Sequence, residues 1–136
     1  MKTLLLTFGV ATALAIASTA PANAHHAFSA EFDSNRPVTL EGSITRIEWI
    51  NPHAWLHVAV TDEDGNVTDW MVETGSPNTL VRRGLSRDTI PPGTAVVIEG
   101  FQARNGTNRA SGQTVATPDG ERLLIGSEGR GAAPVD

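Results

Sequence analysis

The strongest constraint on this chain is an alternating run that changes phase halfway. Val38, Leu40, Gly42 and Ile44 alternate with polar residues, which marks a half-buried strand. The next large apolar residues, Ile47 and Trp49, fall on the opposite parity. Side chains change face residue by residue, so an undisturbed strand would turn that second pair away from the first set. The spacing therefore predicts a bulge or sharp bend near Thr45-Arg46, with Gly42 easing the curvature.

The rest of the chain reads as short strands with clear punctuation. Ile50-Asn51-Pro52-His53 is a connection, because Pro52 cannot donate to a ladder. A second strand puts Ala54, Leu56, Val58 and Val60 on one face and His53, Trp55, His57 and Ala59 on the other. Asp64-Gly65 marks a hairpin, and Val67 to Glu73 returns as a third strand carrying Trp70 and Val72 on one face. Ser76 then Pro77 predicts a helix start, with Asn78 to Arg83 helical and Gly84 as the stop. Pro91-Pro92-Gly93, Asn105-Gly106 and Pro118-Asp119-Gly120 are turns. Between and after them lie strands over Thr94 to Phe101, Arg109 to Thr117 and Glu121 to Ile125. A long bent first strand, with one short helix between the third and fourth strands, predicts a mainly β, OB-fold-like small barrel. A two-sheet sandwich is the alternative that the number of short strands allows.

Residues 1–24 read as a secretory signal peptide: Lys2, an apolar stretch from Leu4 to Ala17, Pro21, then Ala22-Asn23-Ala24. The apolar run is shorter than the ~20 residues a membrane span needs. The expected layout is an N-terminal segment over 25–37, a barrel domain over 38–126 and a disordered tail over 127–136. The expected location is the periplasm or the outside of the cell, with no membrane anchor after cleavage. Cleavage removes the sole lysine and leaves nine arginines against fifteen acidic residues, a net charge of −6. With no cationic cluster to neutralise phosphates, nucleic acid is excluded as a partner. The absence of cysteine excludes disulfides and thiolate chemistry.

The four histidines carry the chemistry. His25 and His26 would open the mature chain, where the α-amine and ring of His25 can chelate one metal and His26 adds a second imidazole. Nitrogen-rich donor sets favour Cu(II). His53 and His57 are four apart on a strand, roughly 13 Å at ~3.3 Å per residue. Two donors on one ion sit only ~3 Å apart, so at most one of the two joins the N-terminal pair. His53 is the candidate, because it ends a connection of the kind with which OB-folds grip ligands. Asn51 would position it and Trp55 would wall the site. Glu31, Asp33 and Glu73 are carboxylates that could add oxygen ligands, with nothing in the spacing to select one. By parity Trp49 and Trp55 share one face.

Enzyme signals are thin, and no catalytic residue is assigned. The chain lacks His-Glu-x-x-His, Gly-x-Ser-x-Gly and a phosphate-cradling glycine loop. Asp62, Glu63, Asp64 and Asp69 surround a hairpin and read as a solvated turn rather than a calcium loop.

Several motifs together resemble a family of small exported bacterial proteins of unknown function. They are His25-His26-Ala27-Phe28, Glu48-Trp49-Ile50-Asn51-Pro52-His53, and Ser76-Pro77 with Arg82-Arg83-Gly84. Asp64-Gly65, Pro92-Gly93 and the Val96 to Ile98 strand fit the same pattern. The resemblance implies no activity, and the layout is also similar to that of exported bacterial OB-fold proteins, which supports the OB-like fold. The leading expectation is a metal-binding protein, with Cu(II) held by His25, His26 and His53. The alternative is a metal-free module that binds a small ligand or a protein through the barrel face and the loops at Asn51-Pro52 and Gln102 to Asn108.

Overall fold

The structure is a computed structural model and describes residues 27–127. The expected signal peptide, His25 and His26, and the tail from residue 128 lie outside the described residues. Helix α1 covers described residues 27–31. It is followed by β1 (Phe32–Glu48), β2 (Trp55–Thr61), β3 (Val67–Glu73), α2 (Pro77–Arg82), β4 (Ala95–Ala103), β5 (Arg109–Ala116) and β6 (Arg122–Leu124).

The strands form one sheet in the order β3-β2-β1-β4-β5-β6, and an additional pairing of β3 with β5 closes it into a ring. That closing pair is parallel, Met71 to Arg109 through Glu73 to Ser111, while the other pairs are antiparallel. The result is an OB-like barrel with β6 added to β5, not a two-sheet sandwich. Among the described residues, no helix is long and apolar enough to cross a membrane.

The phase change in β1 is resolved where the spacing predicts it. The β1–β2 register slips between Ile44 and Arg46, leaving Thr45 as the extra residue. Ile44 is then buried on one side of the slip, and Ile47 and Trp49 pack against the same core on the other. Gly42 is where the backbones come closest: a Cβ there would lie 2.2 Å from the carbonyl oxygen of Ala59. β1 can therefore pair with β4 through its first part and with β2 through its last.

The core joins Leu40, Leu56, Val58, Val72, Val96, Ile98 and Val115 from the strands with Leu80 from α2 and Ile125 after β6. Ser76 caps α2 by accepting from the Thr79 amide at 3.3 Å. At the other end of α2, Arg83 donates to the carbonyl of Gly126 at 2.6 Å, which ties the helix to the chain after β6.

The structure differs from the sequence reading in several details, the first being α1, a second short helix where only one was expected. β1 starts at Phe32 rather than Val38, because buried Phe32 already pairs with Ala103. The polar residues 33–36 hide this by forming an irregular stretch before Pro37 rejoins the ladder. Trp49 and Trp55 do not share a face. The β1–β2 ladder ends at the Glu48–Trp55 pair, so strand parity does not extend to Trp49, which turns to the core side beside Arg87.

Candidate functional site

Leu56, Val58 and Val72 point into the barrel, so the alternate residues of β2 and β3 form its outer face. The pairings arrange these in two rows across four strands. One row runs Arg46, His57, Met71, Arg109, and the other runs Glu48, Trp55, Glu73, Ser111. The strand 2–3 surface is where OB-folds take ligands. Here it carries both strand-region histidines, Trp55 and the carboxylates of Glu48, Asp69 and Glu73.

Each histidine has its own carboxylate. His53, in the connection just before β2, lies with Nδ1 3.1 Å from Oε1 of Glu73. Glu73 is 8% exposed at its side chain, and His53 is 36% exposed. A carboxylate can only accept, so this contact places the ring proton on Nδ1 and leaves the Nε2 lone pair available when the ring is neutral. His57 has Nε2 3.2 Å from Oε2 of Glu48, and Arg46 Nη2 lies 3.1 Å from the same ring nitrogen and 3.2 Å from Glu48 Oε1. His57 thus lies in a polar cluster with Glu48 and the exposed Arg46 at the β1–β2 seam. The two histidines therefore hold different carboxylate partners.

Trp55 carries the second feature of the face. The Arg109 guanidinium stands 5.0 Å from its ring centroid, and Arg109 Nη1 lies 2.6 Å from Oε1 of Glu31 at the end of α1. Cation–π contact and ion pair fix the guanidinium from two sides. They hold it although Nε is buried with no hydrogen-bond partner among the described residues, an arrangement that costs roughly 1–3 kcal/mol.

The expected site residues are therefore distributed unevenly. His53 and Trp55 lie beside the same buried carboxylate, Glu73, which is Trp55's cross-strand partner. Asn51 is exposed in the same connection, joined to Pro52 by a cis peptide bond. Of the three unselected carboxylates, Glu73 and Glu31 belong to this face, while Asp33 accepts from the amide of Asn35. Among the described residues, no group of three or more His, Asp or Glu side chains is gathered as a metal cluster. Sequence reasoning missed Arg109, whose place depends on the parallel β3–β5 pairing, a contact with no local signal.

The fold and this face define the class: an OB-like barrel whose outer strand 2–3 surface presents a carboxylate-anchored histidine beside an arginine-capped tryptophan. The chain belongs to a family of unknown function, DUF6152, whose model matches residues 13–113. Neither a curated protein nor a solved structure matches the chain.

Proposed function

We propose that this protein is an exported metal-binding protein that takes Cu(II) on His53 together with the amine and ring of His25 and the ring of His26. Residues 1–24 act as the signal peptide whose removal frees that amine. The reading is one of binding, with no catalytic residue assigned.

One observation carries it: His53 Nδ1 rests on the buried carboxylate of Glu73. A carboxylate behind an imidazole fixes the tautomer and aims the other nitrogen, the arrangement that accompanies metal-ligating histidines. His53 alone cannot hold an ion, so the donor set needs nitrogens from outside the described residues. In the sequence His25 and His26 come just before the described residues of α1, and the end of α1 is pinned to the same face through Glu31 and Arg109.

The test is a Cu(II) titration of chain confirmed by mass to begin at His25, with His53→Ala alongside. The expected result is one-to-one binding that weakens at least tenfold in the variant and as pH falls toward the ~6.5 of imidazole. Binding no stronger than that of an isolated peptide with the same first residues, and unchanged by the variant, overturns the proposal.

A metal-free protein-binding role has one observation in its favour. A groove of about 370 Å³ is lined by Trp49, Pro77, Val81, Ser86, Arg87 and Asp88, and the nearby apolar side chains of Ile50 and Val81 are exposed. The Gln102 to Asn108 loop offers less, because Gln102 and Asn105 close it on itself through Gly106 and Thr107. This second reading expects partner binding to survive loss of His25 and His26 and to fail on Val81→Glu.

A further inference from the structure

Two recesses meet where Trp49 leaves the β1–β2 ladder. One, of about 370 Å³, is walled by Trp49, Pro77 and Val81, and Ser86, Arg87 and Asp88 complete its lining. The other, of about 210 Å³, lies between the Thr45 to Ile47 stretch of β1 and Pro92, and Trp49 and Arg87 line it too. Local structure holds each wall in place. Pro77 and Val81 are four apart in α2 and so share one face of it. Arg87 and Asp88 sit on a turn that closes on itself: the Ser86 amide donates to the Thr89 hydroxyl at 2.9 Å, and that hydroxyl donates to the Ser86 carbonyl at 3.0 Å. Leu85 and Ile90, on either side of the turn, are fully buried. On the opposite wall Thr45 is the extra residue of the β1 bulge, and its hydroxyl donates to the His57 carbonyl at 3.2 Å. The Gly93 amide donates to the Ile44 carbonyl at 2.7 Å, which fixes the Pro92 turn beside the bulge. Bulges commonly serve to aim a side chain into a neighbouring site.

The two recesses differ in charge. Arg46 and Arg87 line the smaller one without a carboxylate beside them, whereas Asp88 belongs to the larger. Arg46 is partly neutralised by Glu48 at 3.2 Å. Arg87 rests over the Trp49 ring, 5.9 Å from its centroid, and among the described residues it has no ion-pair partner. In a chain with fifteen acidic residues against ten basic ones, such an arginine is a cation left over for a ligand.

We infer that this groove binds a small carboxylic acid with an apolar body. Arg87, assisted by Arg46, holds the carboxylate in the smaller recess, and the body lies across Trp49 toward Pro77 and Val81. A guanidinium and a carboxylate form two parallel charge-assisted hydrogen bonds, which fix orientation as well as adding affinity. The apolar body displaces water from the indole and the helix face. Asp88 repels an acid group from the larger recess, so the ligand has one orientation. Together the recesses fall within the roughly 300–1,000 Å³ of small-molecule sites. A folded protein suits the groove less well. A standard interface takes about 800 Å² from each partner, and the exposed large apolar side chains beside this groove are Ile50 and Val81 alone among the described residues. The inference uses neither His53 nor Glu73 and is independent of the metal reading. It gives the groove of the protein-binding reading a different occupant.

The test uses the full chain with phenylbutyrate as the probe, and phenylbutyramide and phenylbutylamine as its neutral and cationic counterparts. Chemical shifts in nuclear magnetic resonance both locate the binding and measure it. The expected result is saturable binding of phenylbutyrate that moves the amides of Arg46 and Arg87 and the indole N–H of Trp49. The neutral counterpart should bind about fivefold more weakly, the scale of one partly exposed ion pair, and the amine more weakly still. Arg87→Gln should abolish the preference for acid over amide. Arg87→Lys should keep that preference at reduced affinity, because lysine retains the charge without the fork. Val81→Glu should weaken the acid by placing a second carboxylate in the larger recess. Arg122→Gln removes a surface ion pair with Glu99 and, as the control, should change nothing. Equal binding of acid and amide, shifts confined to other parts of the barrel, or wild-type affinity in Arg87→Gln overturns the inference. So does the lack of saturable binding of phenylbutyrate to the unaltered chain. A protein partner lost on Val81→Glu, in a chain that does not bind the acid, overturns it as well and leaves the protein-binding reading in place. Melting of the variants separates any loss of affinity from a loss of folding.

Discussion

His53 and Glu73 meet at 3.1 Å across the start of the β2–β3 pair, a half-exposed imidazole resting on a carboxylate that is almost wholly buried. The barrel explains how both conditions hold together. Thr74, next to Glu73, is bonded to Ala54, next to His53: the Thr74 amide and hydroxyl each donate to the Ala54 carbonyl at 3.0 Å. The Ala54 amide in turn donates to Gly75. The backbones just before β2 and just after β3 are thereby locked, and the His53 side chain leaves a rigid platform. A ligand group on such a platform needs little reorganisation on binding.

If the carboxylate aims the imidazole, then Glu73→Gln, which keeps the size and removes the charge, should weaken Cu(II) binding roughly ten- to hundredfold, the usual effect of losing a residue that supports a ligand. Calorimetric titration at constant pH measures it. An unchanged affinity would mean that the pair serves packing alone.

Much of the fold is legible because its signals are local. The phase change at Thr45 is a property of neighbouring residues, and Ser76-Pro77 and the Asp64-Gly65 turn each set their own backbone, with Gly65 at φ +85°. The ring closure is different. The pairing of Met71 with Arg109 joins residues far apart in sequence, and no periodicity or turn residue encodes it. The site divides the same way. His53 stands out by residue type and position beside Pro52, but choosing Glu73 among the carboxylates requires the β2–β3 register, and Arg109 requires the closure. Trp49 misleads because parity holds only within a ladder, and that residue has already left one.

The hairpin between β2 and β3 has a pH signature. The Asn66 side chain, then its amide, hold the Asp62 carboxyl below its ordinary value of 3.8, with the Asp64 and Gly65 amides assisting. A carboxyl with a lowered folded-state pKa binds fewer protons folded than unfolded, so its stabilisation is present above the unfolded value and lost as pH falls through the folded one. Asp62→Ala should therefore lower the melting temperature at pH 7, and the gap from wild type should shrink below about pH 4. A gap that stays constant down to pH 2 would assign the effect to turn geometry rather than charge.

Ser76 gives a simpler stability test. Its hydroxyl accepts from the Thr79 amide and bonds the Thr79 hydroxyl at 3.1 Å, and Pro77 sets the first helical φ. With only six helical residues in α2 there is little else to hold the first turn. Ser76→Ala should cost about 1 kcal/mol in urea unfolding, with the slope unchanged because the same surface is exposed.

Two glycines on the paired strands β4 and β5 should respond differently to the same methyl group. Gly100 and Gly112 are register partners, next to the slip between Glu99 and Gly100. A Cβ on Gly112 would meet Ile125 Cδ1 and Val72 Cγ1, both at 2.7 Å. These are side-chain ends, and they can turn within the core at a cost of about 1–3 kcal/mol. A Cβ on Gly100 would lie 2.2 Å from the carbonyl oxygen of Ser111, and backbone in a ladder cannot step aside without breaking the ladder. Ser111 is the residue paired with Glu73 in the β3–β5 closure, so displacing it also disturbs the face that holds His53. Gly112→Ala should fold with a lowered melting temperature and near-normal Cu(II) binding. Gly100→Ala should either fail to fold or fold with impaired binding, as circular dichroism and titration would show. Equal behaviour of the two variants would mean that the strands part more easily at the bulge than this packing implies.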